Sequence, residues 1–267
     1  MATLARAVRS IVMFAAVGTA AALSGFVAAA PASPLSLRTA VASESRKDSP
    51  PPVARYQVDD GGDFILDRTN PQPLLKFEGA PEIWVLQPST GPRGDIIYKN
   101  ELGLEVLRST RMGGMTVFTE RRPEGSPAAL EGPSLPLRLQ ALSFTALFQR
   151  IYQASVRASR AAQHPVLFDG PNSDLGYGPD ADENSAGIIA DAALIASEAF
   201  VFTAARPGGR LLLSRINHVV ILLGANPGVT RKGATIVIVI NPAEGLAGRP
   251  SSLRIQYVAG LRPARLR

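Results

Sequence analysis

Between Tyr56 and Thr119, short apolar runs alternate with turn-forming residues at a nearly regular spacing. The runs are Phe64–Leu66, Leu74–Phe77, Ile83–Leu86, Ile96–Tyr98, Leu104–Leu107 and Met115–Phe118. Every separator between them contains Gly, Pro or Asn. Short apolar runs with such separators are typical of an antiparallel meander. We therefore predict a β-rich region over residues 55–120.

Two longer segments further along have the character of helices. In Leu137–Gln163, the apolar face comprises Phe144, Phe148, Ile151 and Ser155, joined by Leu147 and Tyr152. The opposite face carries Arg150, Arg157 and Arg160, and the segment contains no acid. This pattern favours a helix whose aromatic face packs in the core, with a helix lying on a membrane as the alternative. The segment 186–205 is apolar almost all round and predicts a second, buried helix.

The rest of the chain has the pattern of strands. The predicted strands are Leu211–Leu213, Ile216–Leu223, Thr235–Ile240 and Leu253–Val258. The run "TIVIVI" is apolar on both faces and suits a central strand. The proline-rich segment Arg121–Pro136 is predicted to be a connector. The expected fold is α+β, with an N-terminal antiparallel β region, two central helices, and a C-terminal β-sheet packed on the second helix. Residues 121–267 should form one compact unit with residues 55–120.

The N-terminus has the pattern of a secretory leader. Arg6 and Arg9 precede an apolar run over 11–27, and the small residues of 28–32 suit signal peptidase. We expect residues 1–32 to be removed and residues 33–54, rich in Ser, Pro and Ala, to be a disordered tether. The protein is then periplasmic or extracellular, with no transmembrane segment in the mature chain.

The composition of the chain excludes some kinds of site and shows an uneven distribution of charge. The chain has no cysteine, which excludes thiol catalysis, thiolate metal sites and disulfides. From Arg206 onward, ten Lys and Arg residues stand against one acid, Glu244, whereas residues 33–204 hold sixteen basic and twenty-one acidic groups. We interpret the basic C-terminal region first as a solvated surface that aids solubility. The alternative is a surface that binds a partner, namely an anionic envelope polymer, lipid headgroups or another envelope protein. Secretion argues against nucleic acid.

The acidic stretch "DGPNSDLGYGPDADENS" raises the question of a metal. Asp180, Asp182 and Asn184 occupy positions 1, 3 and 5 of a calcium-loop register, and Asp191 occupies position 12. Ser185 stands where that loop needs glycine, and Pro171 and Pro179 prevent an entering helix. We therefore favour a helix cap at Asn184 or Ser185, with a calcium site as the alternative. We predict no other cofactor.

Catalytic motifs are scarce. The chain has two histidines, and a Ser-His-Asp site would need one of them. His218 alternates with apolar residues, so we expect it to be a core residue. Paired carboxylates for glycoside hydrolysis would come from Asp63 and Asp67. The segment "GRPSSLR" offers an anion site whose candidate residues are Arg249, Ser251, Ser252 and Arg254, against the alternative of a strand-entry turn.

Five segments between Phe64 and Gly260 carry a family resemblance. They are "LLKFEGAPEIWVLQPSTGPRGDIIYKNELGLEVLR", "RMGGMTVFTERRPEGSPAA", "YQASVRASRAAQHPVLF", "IADAALIASEAF" and "EGLAGRPSSLRIQYVAG". The chain resembles an uncharacterised family of secreted alphaproteobacterial proteins, catalogued as a domain of unknown function. The resemblance implies an envelope location and no activity. We predict a non-catalytic binding or structural module; the alternatives are a hydrolase acting on envelope glycans or esters, and a calcium-stabilised structural module.

Overall fold

The computed structural model describes residues 50–59, 62–171 and 183–261, without the side chains of Glu183 and Asn184. Residues 48–267 belong to one compact unit. The predicted α+β class is confirmed, because an antiparallel sheet, central helices and a second sheet follow one another along the chain.

The N-terminal sheet contains nine short strands. They are β1 (Val53–Val58), β2 (Phe64–Asp67), β3 (Leu74–Phe77), β4 (Trp84–Val85), β5 (Gln87–Thr90), β6 (Ile96–Lys99), β7 (Glu105–Ser109), β8 (Met115–Val117) and β9 (Ser126–Pro133). They pair antiparallel in the order β4-β3-β2-β1-β9-β8-β7-β6-β5. Strands β4 and β5 occupy the two ends of this order, yet Leu86 alone separates them in sequence. The sheet therefore closes into a ring of eight, in which β4 and β5 form one member that is interrupted at Leu86.

Alternate residues of these strands fill the ring. Phe64, Leu66, Leu75, Leu86 and Leu107 are completely buried. The rings of Tyr56 and Phe64 stack with their centroids 5.1 Å apart. An eight-stranded ring is narrow enough for side chains to fill it, so the predicted meander is a packed structure in its own right.

The second half of the chain combines helices with a small sheet. Its elements are α1 (Phe144–Ala162), β10 (Leu167–Asp169), α2 (Glu183–Ala204), α3 (Gly209–Leu213), β11 (His218–Leu223), β12 (Gly228–Lys232), β13 (Thr235–Ile240) and α4 (Ser252–Val258). The sheet order is β10-β11-β13-β12, with β12 antiparallel to β13 and the other pairs parallel. The prediction that "TIVIVI" forms a central strand is confirmed, since β13 lies between two others.

Helix α2 is the centre of this half. Its residues Ile189, Ile195 and Phe200 are fully buried, and it contacts α1, α3, α4 and the sheet. The prediction of a buried second helix beneath the C-terminal sheet is therefore confirmed. Van der Waals contact on all sides explains why the sequence of this helix is apolar almost all round.

Two predicted strands are helices. Leu211–Leu213 belongs to α3, and Leu253–Val258 belongs to α4. Ser251 caps α4 by accepting a hydrogen bond from the Arg254 N–H, at 3.1 Å. Helices of five and seven residues complete too few turns for a period of 3.6 to emerge, so their apolar spacing resembled that of strands. The four-stranded sheet is instead completed by β10 and β12.

Three further expectations need correction. The segment 121–136 is more than a connector, because it contains β9, which pairs with β1 and closes the ring. The tether predicted over residues 33–54 ends earlier, because β1 begins at Val53; residues 33–49 lie outside the described part. Helix α1 begins at Phe144, where Ser143 caps it, and residues 137–143 are not helical.

The aromatic face of α1 is also placed differently. The helix packs on α2 through Leu147, Ile151, Ala154, Ala158 and Ala162. Phe144, Phe148 and Tyr152 are 47%, 67% and 71% exposed. Alanine lets the two helix backbones approach closely, which bulky aromatic rings would prevent. The helix thus faces the core as expected, but its aromatic residues lie on its outer flank.

Candidate functional site

An ionic cluster of Glu82, Asp191, Arg249 and Ser252 lies buried where the ring meets the helices. The Arg249 Nε donates to Asp191 Oδ2, and its Nη1 lies 3.9 Å from Glu82 Oε1. The Nη2 donates to the carbonyl oxygen of Ile83 at 2.8 Å. Glu82 accepts from the N–H and the hydroxyl of Ser252, at 2.9 and 2.5 Å. The cluster thereby joins the β3–β4 connection, α2 and the start of α4.

The cluster holds two carboxyl groups for one guanidinium. Burial raises the pKa of both Glu82 and Asp191, and the charge of Arg249 opposes this shift without cancelling it. All of the polar side chains are at most 7% exposed. Groups so enclosed and so fully hydrogen-bonded hold the two halves together, and they do not present a reactive atom to a substrate.

The predicted anion site coincides with this junction. The Ser252 N–H is taken by Glu82, and the Ser251 N–H donates to Glu101 Oε2 at 2.8 Å. Arg254 Nε lies 3.9 Å from Glu101 Oε1, and Arg249 is in the ionic cluster. Carboxylates of the same chain therefore contact the N–H groups and arginines that the sequence suggested for binding an anion.

A cleft of about 580 Å³ opens beside Asp191, between β3, α1 and α2. Four cations line it: Lys76 from β3, Arg138 ahead of α1, and Arg150 and Arg157 from α1. Arg157 forms an ion pair with Glu198, at 2.5 Å. The other three have no ion-pair partner among the described residues.

Asp191 is the sole carboxylate among the described residues that line this basic cleft. Its charge is already engaged by Arg249. Lys76 and Arg138 act through space on Asp191 and Asp67, but no described carboxylate lies within ion-pair distance of Lys76, Arg138 or Arg150. Amide groups of Gln140 and Gln153 add neutral hydrogen-bonding capacity to the same wall. This combination suits an anionic ligand with polar substituents.

The candidate catalytic histidine is paired with a carboxylate. The Nε2 of His218 lies 2.6 Å from Asp169 Oδ2, across the β10–β11 pair. The His218 side chain is 32% exposed, so it is not the core residue that its alternation with apolar neighbours suggested. Its neighbour Val219 is buried against the helices, so the pair lies on the opposite face of the sheet.

The candidate carboxylates Asp63 and Asp67 both have structural contacts. Asp63 Oδ1 accepts from the Val58 N–H at 2.9 Å. Asp67 is fully buried and accepts from Thr69 and from the Leu137 N–H. Four residues along an extended strand span ~13 Å, whereas glycosidase pairs are separated by about 5–9.5 Å. The structure does not bring these two together as a catalytic pair.

Most of the proposed calcium loop lies outside the described residues. This holds for Asp180 and Asp182 and for the side chain of Asn184. Asp191, the fourth proposed ligand, is in the ionic cluster. No group of three or more candidate ligands was found in the described part of the chain.

Sequence reasoning did not identify the basic cleft. Lys76 lies in a strand, Arg138 in a segment predicted as helix, and Arg150 and Arg157 on a face assigned to solvent. One usable signal was present, because residues 132–168 contain four arginines and no acid. This basic run lies within residues 33–204, whose net charge is negative, so a count over the whole region did not show it.

One described helix is long and apolar enough to cross a membrane. This is Ser185–Ala204 within α2, and 83% of its most apolar window is buried in the protein. A buried core helix passes the same test of length and composition, which is the role that α2 has in this fold.

Comparison with known proteins assigns the chain to a family. No curated protein and no solved structure is similar to the chain at a significant level. A family model covers residues 36–259, which agrees with the resemblance to a domain of unknown function. The chain belongs to the family described as Domain of unknown function (DUF4908).

Proposed function

We propose that this protein is a non-catalytic binding module that holds an anionic ligand in the basic cleft. The observation that carries the proposal is the set of three cations, Lys76, Arg138 and Arg150, without ion-pair partners among the described residues. They line one cavity with a single, already engaged carboxylate. Unpaired cations that share a concave surface favour charge-assisted hydrogen bonds to phosphate or carboxylate groups.

The size of the cleft restricts the ligand. About 580 Å³ is within the usual range for small-molecule sites. It accommodates a small multivalent anion or a short segment of an anionic polymer. The amides of Gln140 and Gln153 suit the hydroxyl groups of a sugar backbone. The ligand class is therefore phosphate- or carboxylate-bearing glycans and related polyanions.

The proposal includes a location in the envelope of an alphaproteobacterial cell. The pattern of residues 1–32 supports export by a cleaved leader. Anionic polymers are abundant ligands outside the cytoplasmic membrane, so location and cleft chemistry agree. The mass of the protein recovered from the periplasm or medium tests this part, since a cleaved chain lacks about 32 residues at its N-terminus.

The binding test uses the chain from residue 33, which retains the whole compact unit. Isothermal titration calorimetry with tripolyphosphate and polygalacturonate should give saturable binding that weakens with salt, and neutral dextran should give none. The double variant Arg138→Ser/Arg150→Ser should lose roughly tenfold or more in affinity, because each lost charge-assisted contact is worth more than about 1.4 kcal/mol.

The matched control is Arg111→Ser/Arg121→Ser, which removes the same charge from exposed positions on the ring. It should retain nearly full affinity. Equal losses in both variants would mean that net charge alone attracts the polyanions. That result, or no binding of either probe at low salt, would disprove the proposal.

A further inference from the structure

A second groove, of about 740 Å³, lies between the outer side of α1, the C-terminal part of α2 and α3. Val156, Val201 and Ala204 give it an apolar floor. Tyr152, Arg160 and Arg210 stand along its sides. The groove thus combines an apolar floor with cationic and aromatic edges.

Large apolar side chains project beside this groove. Tyr152 is 71% exposed, Phe148, one turn earlier in α1, is 67% exposed, and Leu211, next to Arg210 in α3, is 69% exposed. Scattered exposed apolar residues are normal in proteins, but several around one apolar groove mark an interaction site. We refer to the groove with Phe148, Tyr152 and Leu211 as the outer helical surface.

Charge on the outer helical surface has one sign. Residues 132–168 contain no acid, and neither do residues 199–243. These stretches include all of α1 and α3 and the end of α2. Glu198, at the boundary, is almost fully buried and is paired with Arg157. Arg160 and Arg210 therefore meet no carboxylate on these elements.

We propose that the outer helical surface docks on a lipid bilayer that contains anionic lipids. Tyr152, Phe148 and Leu211 enter the boundary between headgroups and acyl chains, and the arginines contact lipid phosphates. Aromatic and leucine side chains flanked by arginine are the pattern of interfacial binding. Each basic residue near an anionic membrane adds to the attraction.

The same charge argues against a second copy of the chain as the occupant. A two-fold contact through this surface would place arginines of one copy near arginines of the other. An anionic bilayer supplies the opposite charge over the whole surface at once. The proposal is independent of the basic cleft, since Tyr152, Arg160, Arg210 and Leu211 do not line it.

Vesicle flotation of the chain from residue 33 tests the proposal. Vesicles of phosphatidylcholine with phosphatidylglycerol should bind the protein, vesicles of phosphatidylcholine alone should not, and 0.5 M salt should weaken binding, as surface electrostatics require. The variants Tyr152→Ser/Leu211→Ser and Arg160→Ser/Arg210→Ser should each reduce the bound fraction about tenfold, in line with the loss of two side chains.

The matched control removes exposed apolar side chains elsewhere. Met112 and Leu135 are 96% and 83% exposed, and Met112→Ser/Leu135→Ser should bind as the parent does. Melting temperatures of all variants should stay close to that of the parent, because the altered side chains are exposed. Arg138→Ser/Arg150→Ser should retain vesicle binding, which separates this surface from the basic cleft.

Insertion is measured directly because the chain has no cysteine. A polarity-sensitive dye on Tyr152→Cys should shift to shorter wavelengths with anionic vesicles, and the same dye on Met112→Cys should not. No binding to phosphatidylglycerol at low salt, unchanged binding by the Tyr152 and Leu211 variant, or equal dye shifts at both positions would overturn the proposal. So would a dimer in sedimentation that Leu211→Ser dissociates.

Discussion

Replacing Arg249 with methionine removes the guanidinium that compensates Glu82 and Asp191 inside the protein. The side chain of Arg249 is 2% exposed, and those of Glu82 and Asp191 are 4% and 7% exposed. Methionine keeps much of the apolar stem volume, so the packing loss is small. What remains is a pair of buried carboxyl groups without an ion-pair partner, together with a carbonyl oxygen of Ile83 that has lost its donor.

The magnitude follows from this geometry. Removal of one partner from a buried ion pair costs about 3–5 kcal/mol, because the other charge stays buried without compensation. For a domain of this size, 1 kcal/mol corresponds to about 2–4 °C in melting temperature, so the expected decrease is roughly 6–20 °C. Without the guanidinium, the pKa of each carboxyl rises further, so the loss of stability should grow as the pH increases from 4 to 7.

Urea unfolding at both pH values measures this effect, and Arg254→Met is the control. Arg254 is 42% exposed and 3.9 Å from Glu101, and an ion pair of this kind is worth at most about 1 kcal/mol. The triple variant Glu82→Gln/Asp191→Asn/Arg249→Met should regain part of the stability, because it buries no charge. If Arg249→Met were within about 1 kcal/mol of the control at pH 7, the reasoning about the buried charges would be refuted.

Two further predictions concern how folding stability depends on pH, and Glu82 and Asp67 act in opposite directions. Burial raises the pKa of Glu82 in the folded state, so the contribution of this residue to stability is present below its unfolded pKa and is lost as the pH rises through its folded pKa. The melting temperature of Glu82→Gln should therefore rise relative to that of the parent as the pH increases from 4 to 7. The same difference in melting temperature at both pH values would contradict this prediction. For Asp67, burial alone would raise the pKa, but hydrogen bonds from Thr69 and Leu137 and the charge of Arg138 outweigh it and lower the pKa. The contribution of Asp67 to stability is present above its unfolded pKa and is lost as the pH falls through its folded pKa. In urea titrations, Asp67→Asn should lower the free energy of unfolding by about 1–3 kcal/mol at neutral pH and by less near pH 3. An equal loss at both pH values would count against this prediction.

Local patterns predicted the elements that are long or strictly regular. The runs at Leu74–Phe77 and Thr235–Ile240 are strands with those bounds, and the apolar segment 186–205 is helical almost throughout. These elements were identified because a short apolar run between turn residues, or an apolar surface over five turns, is visible without knowledge of the neighbours. Strands β1, β5, β9, β10 and β12 were missed or mistaken for loops, since they are short or contain proline or polar residues that weaken their pattern.

Which side of an element is buried was less predictable. In α1, aromatic and small apolar residues occupy adjacent stripes, and hydrophobicity alone favours the aromatic stripe. The alanine stripe is the one that packs, because α2 is itself rich in alanine and the two helices approach closely. In α4, Ser251 and the carboxylates of Glu82 and Glu101 satisfy the first N–H groups, and these partners are distant in sequence.

The sequence by itself determined the α+β class, the order of the β-rich and helical regions, and the absence of thiol chemistry. Each of these depends on residue types and short spacings, which the chain carries locally. The closed ring, the ionic cluster and the basic cleft were decided only by the tertiary structure. The ring is closed by the pairing of β1 with β9, and the cluster joins residues 82, 191 and 249. Charges so far apart in sequence acquire a common environment only when the chain has folded, because burial and proximity are properties of the packed structure.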